Sequence, residues 1–328
     1  MKRLDDDLAK LARRYARFAS VEARDSSPSY ERLARQVAQS NELLEFIAAL
    51  PPERQQPNLF LAALRATGEL PHGNGALEEI IRLNGERVRQ VMLTHATQTN
   101  EPSRCAVLLP ALATLPQPLA LLEVGASAGL CLLPDRYAYD YDGIRISPSG
   151  EGNAPAPVFP CTVNRHTPVP QRNIDVAWRA GLDLNPLDVH AAADMSWLRT
   201  LVWPEHHDRA SRLNAAIEVA RSDPPRVVKG DLRGDLPALA ATAPKEATLV
   251  VYHTAVLGYL REQADRSNFA AMVRGLGAVW ISNEAPFVFP ELAKNAAAAP
   301  SPDMFLQAVD GVPVAWSGPH GQSLHWFG

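Results

Sequence analysis

The chain has 328 residues, 46% of them apolar, and its 32 basic and 36 acidic side chains leave a formal charge of -4. That length and apolar content can fill two ordinary domain cores without help from metal or disulfides. The slightly acidic balance supplies no field to gather nucleic acid or an anionic membrane, so a small molecule is the expected partner, with room only for a local basic patch. Cys105, Cys131 and Cys161 are odd in number, far apart and without C-x-x-C spacing, which fits buried thiols in a reducing cytoplasm. Asp5, Asp6 and Asp7 rule out a secretory leader, and no apolar run approaches the roughly eighteen residues of a membrane span. The expectation is a soluble, cytoplasmic protein.

Up to about Leu115 the apolar residues recur at helical spacing, as in Leu4, Leu8, Leu11, Tyr15 and Phe18, then Leu33, Val37, Leu43, Leu44 and Ile47. Breaks fall at Ser26-Ser27-Pro28, Pro51-Pro52 and Pro71-His72-Gly73-Asn74-Gly75. A further helix is predicted from about Gly75 to His95. Another is expected to start near Asn100, as N-cap, with Pro102 in its first turn. Pro116-Gln117-Pro118 closes this all-helical N-terminal domain, residues 1–117, a possible lid.

From residue 118 to 328 short apolar runs alternate with helical patterns, the signature of parallel strands with crossover helices. Runs at Leu119–Val124, Ile174–Ala180, Arg226–Lys229, Thr248–Tyr252 and Ala278–Ser282 read as strands. Trp197–Arg221 reads as one helix bent near Pro204. Met304–Val309 and Ser323–Phe327 read as an antiparallel pair closing the sheet. The stretch at about 132–172, rich in Pro and Gly, reads as an inserted β-rich or irregular flap.

Leu121-Leu122-Glu123-Val124-Gly125-Ala126-Ser127-Ala128-Gly129 marks the end of the first strand, where a turn into a helix would leave backbone N–H groups pointing at one space. The dinucleotide fingerprint G-x-G-x-x-G would need glycines at 125, 127 and 130, but Ser127 and Leu130 stand there. Gly125-Ala126-Ser127-Ala128-Gly129 also matches G-x-S-x-G formally, which keeps open a serine hydrolase with Ser127 as nucleophile, although the preceding segment is helical. His253, ending the fourth strand, is the candidate base, and Tyr252 beside it should face the other way. Asn283 and Glu284 after the fifth strand, with Gln98, Asn100 and Arg104 near a helix start, are candidates to meet substrate; an i, i+3 ion pair of Glu101 with Arg104 is the plainer account of the latter. His206-His207 beside Glu205 lacks H-E-x-x-H spacing, so no metal site is expected.

The loop resembles motif I of class I S-adenosylmethionine-dependent methyltransferases, in which an acid commonly stands two residues before the first glycine, as Glu123 does. That resemblance implies a doubly wound, Rossmann-like α/β sheet of seven strands and S-adenosylmethionine as cofactor, held by Glu123, Gly125, Ala126, Ser127 and Gly129. It also implies an acid at the second-strand end for the ribose, matched by Asp183, and one after the third strand for adenine, matched by Asp231. Glu123 and Asp183 are further apart than the roughly twenty residues usual for such a pair, which is why the flap must be an insertion. The whole chain also resembles the bacterial family filed as domain of unknown function 2332, through Gln98-Thr99-Asn100-Glu101 with Arg104, the Leu122–Leu130 loop, Arg179–Asp188, Trp203-Pro204-Glu205 and Gly230-Asp231-Leu232. This family brings no established reaction. The expected function is methyl transfer to a small molecule, with a non-catalytic binder of the same fold as the alternative.

Overall fold

The computed structural model describes residues 2–328 except 69, 74, 99 and 150–155. Asn74 of the predicted turn, Thr99 of the predicted helix start and part of the predicted flap therefore lie outside the described residues. The chain divides into two compact units, Met1–Thr99 with Ser196–Ser211, and Asn100–Met195 with Arg212–Gly328.

The first unit is helical: α1 (Lys2–Arg17) continuing through one π turn (Phe18–Glu22), α2 (Pro28–Gln39), α3 (Asn41–Ala48), α4 (Pro57–Thr67) and α5 (Ala76–Thr94). Leu11 and Tyr15 of α1 and Phe18 of the π turn are buried at i, i+4 and i+7 with Leu33, Val37, Leu43, Ile47, Phe60 and Val88. Ser27 caps α2 by accepting from the Tyr30 amide, with Pro28 in its first turn. The excursion at 196–211 docks here through Trp203-Pro204-Glu205. Trp203 packs edge-on to Phe18 and donates to Asn58 Oδ1 at 2.9 Å. Glu205 accepts from Ser27 Oγ at 2.5 Å and the Ser29 amide at 2.9 Å. Burial pushes the Glu205 carboxyl up, but these hydrogen bonds more than offset it and leave it lowered. The single bent helix expected here is two helices, α7 (Ala192–Thr200) and α8 (His207–Ser222), because Pro204 and its neighbours form the docking turn between them.

The second unit is mixed α/β. Its helices are α6 (Arg104–Ala113), α9 (Leu236–Ala240), α10 (Gln263–Gly275) and α11 (Pro290–Lys294), with parts of α7 and α8. Every residue of α6 from Arg104 to Leu112 is buried within this unit, so the division falls at 99/100, earlier than Pro118. The strands are β1 (Leu119–Val124), β2 (Ala138–Tyr141), β3 (Ile144–Ile146), β4 (Val158–Pro160), β5 (Thr162–Val163), β6 (Val176–Asp183), β7 (Val227–Lys229), β8 (Thr248–Thr254), β9 (Val279–Glu284), β10 (Phe305–Val309), β11 (Val312–Ser317) and β12 (Ser323–Trp326). Among the described residues they form a nine-stranded, mostly parallel sheet in the order β5-β12-β11-β10-β9-β8-β1-β6-β7 and a small sheet β3-β2-β4. The five expected parallel strands are β1, β6, β7, β8 and β9. All six residues of β1 are buried, as a central parallel strand requires.

Three local expectations need correction. The strand count is nine, not seven, because β5 and β11 join the sheet. The runs expected to pair with each other, Met304–Val309 and Ser323–Phe327, do not: Val312–Ser317 between them is β11, which separates β10 from β12. The turn before it, Asp310-Gly311, has φ of 50° and 80°, the positive pair that an Asp-Gly hairpin uses. After β1 no α-helix forms; Leu130–Leu132 and Pro134–Arg136 are short 3-10 turns. Pro134 lacks the N–H that a helix starting at Leu130 would need. The predicted flap builds the small sheet and also supplies β5, at the far edge from β6, so Asp183 still ends the strand beside β1.

Candidate functional site

In chain order the parallel strands run third, second, first, fourth, fifth across the sheet, so the order reverses between β1 and β8. Ligands of open α/β sheets bind outside the carboxyl ends of the strands at such a reversal. The loop 125–129 leaves β1 there, and Ala255-Val256 leaves β8. Each carries a non-glycine residue in the left-handed region, Ser127 at φ 52° and Ala255 at φ 56°. Such a conformation costs on the order of 1–2 kcal/mol per residue and persists only where the surroundings hold it.

The loop amides do not converge on open space as expected. Gly125 and Ala126 donate to Leu182 O at 2.8 and 3.3 Å, and Gly129 donates to Ala126 O at 2.7 Å. Ser127 N donates to Asp183 Oδ2 at 2.8 Å, and Leu130 N to Asn100 Oδ1 at 2.9 Å. With no helix following β1, the loop has no helix dipole either. Gly125 has φ 74°, and a Cβ there would stand 2.4 Å from Val256 Cγ2, so its glycine serves close packing against the turn after β8.

What the rim does hold is polar side chains. Glu123 is 2% exposed, lies in register between Gly181 of β6 and Tyr252 of β8, and its Oε2 has no hydrogen-bond partner. Burial first, then Cys131 and Asp183, push its carboxyl well above the usual range, with Arg104 pulling the other way. Ser127 Oγ is also buried without a partner. Asp183, half-buried on the neighbouring strand, holds the amides of Ser127 and Asn185. Buried polar atoms are nearly always paired, so two orphans one loop apart mark a place for a polar group or water.

His253 is fully buried and both ring nitrogens are engaged. Trp280 Nε1, which can only donate, reaches His253 Nε2 at 3.0 Å, so Nδ1 carries the proton and gives it to Glu284 Oε1 at 2.7 Å. The same oxygen accepts from the Val256 and Leu257 amides at 2.8 and 3.0 Å. His253 and Glu284 therefore hold the turn after β8 in place, and no nitrogen of His253 is free to take a substrate proton. Tyr252 faces the other way and donates to Cys131 O at 2.8 Å.

The remaining predicted residues scatter. Asp231 is bound by its own neighbour, Arg233, at 3.0 Å through Nε and 2.5 Å through Nη2, and hydrogen bonding to Arg233 lowers its carboxyl. Asn283 is buried; its Oδ1 accepts from Ser317 Oγ at 2.7 Å, while Nδ2 lacks a partner and Gln307, directly opposite on β10, has an equally orphaned Oε1. Asn100 caps the Leu130 amide, and Ser103 stands at the N-cap of α6 in its place. Arg104 donates to Thr254 O at 3.1 Å and Pro319 O at 3.0 Å, tying α6 to the end of β8. Gln98 lies in the helical unit. Among the described residues no His, Cys, Asp or Glu cluster is arranged to hold a metal, and no helix is long and apolar enough to cross a membrane.

Sequence reasoning missed the partners that position this rim. Asp135, on the turn before β2, takes Arg179 of β6 in a two-pronged pair at 2.9 Å for each arm. Trp280 was visible only as an apolar strand residue. No curated protein and no solved structure matches the chain. A match over residues 12–326 shows that the chain belongs to the family described as "Uncharacterized protein conserved in bacteria (DUF2332)".

Proposed function

We propose that this chain binds S-adenosylmethionine at the β1/β8 rim of a doubly wound, methyltransferase-like sheet and passes its methyl group to a small molecule in the cytoplasm. The observation that carries the reading is Glu123, a buried carboxyl with an orphaned oxygen, next to last in the central strand at the order reversal and one strand from Asp183. Burial disfavours the charged form of this carboxyl, and an approaching cation would favour it again. The cofactor supplies that chemistry, an activated methyl on a positively charged sulfur beside a charged amino group.

The chain's own residues would bind and orient. A carboxylate has about four lone-pair sites, so Asp183 can hold its loop amides and still accept from a ribose hydroxyl. Ser127 Oγ can donate or accept beside it. Asp231 is left out of the set because Arg233 occupies its carboxylate, and His253 is left out because its ring is sealed. In-line methyl transfer needs mainly proximity and orientation, so the lack of a base among these residues is no obstacle where the acceptor carries a free lone pair. The three free, buried thiols fit a reducing compartment.

The sealed histidine also favours, as second reading, a binder without turnover. A serine hydrolase is disfavoured: Ser127 has the sharp turn, but its Oγ touches no base. Calorimetric titration with S-adenosylmethionine and S-adenosylhomocysteine tests the reading, with one site per chain expected and clear weakening in Asp183→Asn. No heat from either ligand would end it. Transfer of labelled methyl groups to extracted metabolites then separates enzyme from binder.

A further inference from the structure

We infer that the helical unit carries a second site, a basic groove on α1 that takes a small molecule bearing two or more phosphate groups. Lys10, Arg13, Arg14 and Arg17 stand at i, i+3, i+4 and i+7, one face of α1 beside the buried stripe of Leu11, Tyr15 and Phe18. All four line a groove of about 540 Å³ whose remaining wall is Phe18, Glu22 and Gln56–Asn58. The chain as a whole is net negative, yet this concavity has four cations and one acid.

Such a face is unfavourable when left to itself. Lys10 repels Arg13 and Arg14, and Arg17 repels both arginines, since like charges three or four residues apart on a helix destabilise it. Elsewhere in the unit three arginines are neutralised by a neighbouring acid: Arg35 by Glu31 at 2.7 Å, Arg82 by Glu42 at 3.2 Å and Arg89 by Glu86 at 3.6 Å. In the groove Lys10 has only a loose, exposed contact with Asp7 at 3.5 Å, and among the described residues Arg13, Arg14 and Arg17 have no ion pair. The opposite wall is the first turn of α4, where Gln56 is the N-cap but makes no side-chain capping bond, so the positive end of that helix adds to the field.

Three guanidinium forks suit phosphate oxygens, which they can grip in pairs. The volume lies within the range of about 300–1,000 Å³ usual for small-molecule sites. A concave groove of that size favours a compact polyanion over an extended strand of nucleic acid or a flat lipid surface. This site lies in the helical unit and is independent of the reading given to the β1/β8 rim.

The test is titration of the full chain with inorganic tripolyphosphate by calorimetry, at low and at physiological salt. One saturable site is expected, weakening with salt. R13Q/R17Q, which keeps two good helix formers, should lose about tenfold or more in affinity, since charge-assisted contacts are removed. R24Q, outside the groove, should bind as the wild type does, with circular dichroism checking that both variants are folded. Absence of saturable binding, equal affinity in R13Q/R17Q, or tighter binding to a single-stranded oligonucleotide or to anionic phospholipid vesicles than to tripolyphosphate would each overturn the proposal.

Discussion

Replacing Glu284 by alanine removes the acceptor of three buried donors at once, His253 Nδ1 and the amides of Val256 and Leu257. Each buried donor left unpaired costs about 1–3 kcal/mol, so three cost about 3–9 kcal/mol, the lower half applying if water enters the space. A loss of ~5 kcal/mol is a large part of the roughly 5–15 kcal/mol that holds a domain together. For a unit of this size it corresponds to a melting temperature lower by about 10–20 °C. Glu284→Gln keeps a carbonyl acceptor in the same place and loses only the charge assistance, so about 1–3 kcal/mol is expected. Scanning calorimetry of both variants and the wild type reads the difference, with near-ultraviolet circular dichroism following Trp280. If alanine lowered the melting temperature by less than about 3 °C, or glutamine as much as alanine, Glu284 would not be the clamp on the turn after β8.

Two other substitutions probe the rim. Glu123 has its carboxyl pushed up in the folded state, so the folded chain holds that proton more tightly than the unfolded one; the stability it contributes is complete below the unfolded value near 4.3 and is lost as pH rises through the raised value. Glu123→Gln mimics the protonated form and does not titrate, so its melting temperature should match the wild type near pH 5 and exceed it increasingly toward pH 9; a variant less stable than wild type at pH 9 contradicts the assigned state. Gly125→Ala combines a φ of 74° with a Cβ 2.4 Å from Val256 Cγ2 and should cost more than ~2 kcal/mol in urea unfolding. Adding Val256→Ala should recover the steric part and leave about 1–2 kcal/mol of backbone cost, and no recovery would mean that the clash is elsewhere.

The helical unit was legible because burial there follows one stripe per helix, as with Leu11, Tyr15 and Phe18. The parallel strands were legible as continuous apolar runs, with β1 the clearest. The rest was set partly by local turn chemistry and partly by partners distant in sequence. β11 is masked in the sequence by Pro313 inside it and Gly318 just after it, although Asp310-Gly311 is a hairpin signal. The 3-10 turn after β1 follows from Pro134, four residues past the loop's first helical position. His253 looked available because sequence puts it at a strand end; only the fold brings Trp280 and Glu284 to its two nitrogens. Asp231 likewise sits where expected after β7, but Arg233, two residues on, folds back onto it. The basic stripe on α1, at positions 10, 13, 14 and 17, is readable from spacing alone beside the apolar stripe.

Hydrogen exchange of the whole chain with and without S-adenosylhomocysteine tests the central claim most directly. Added protection should be confined to the amides of residues 125–130, 183–187 and 254–257, around the order reversal. Unchanged exchange across all three segments at saturating ligand, or protection falling only on α1 and the start of α4, would contradict it.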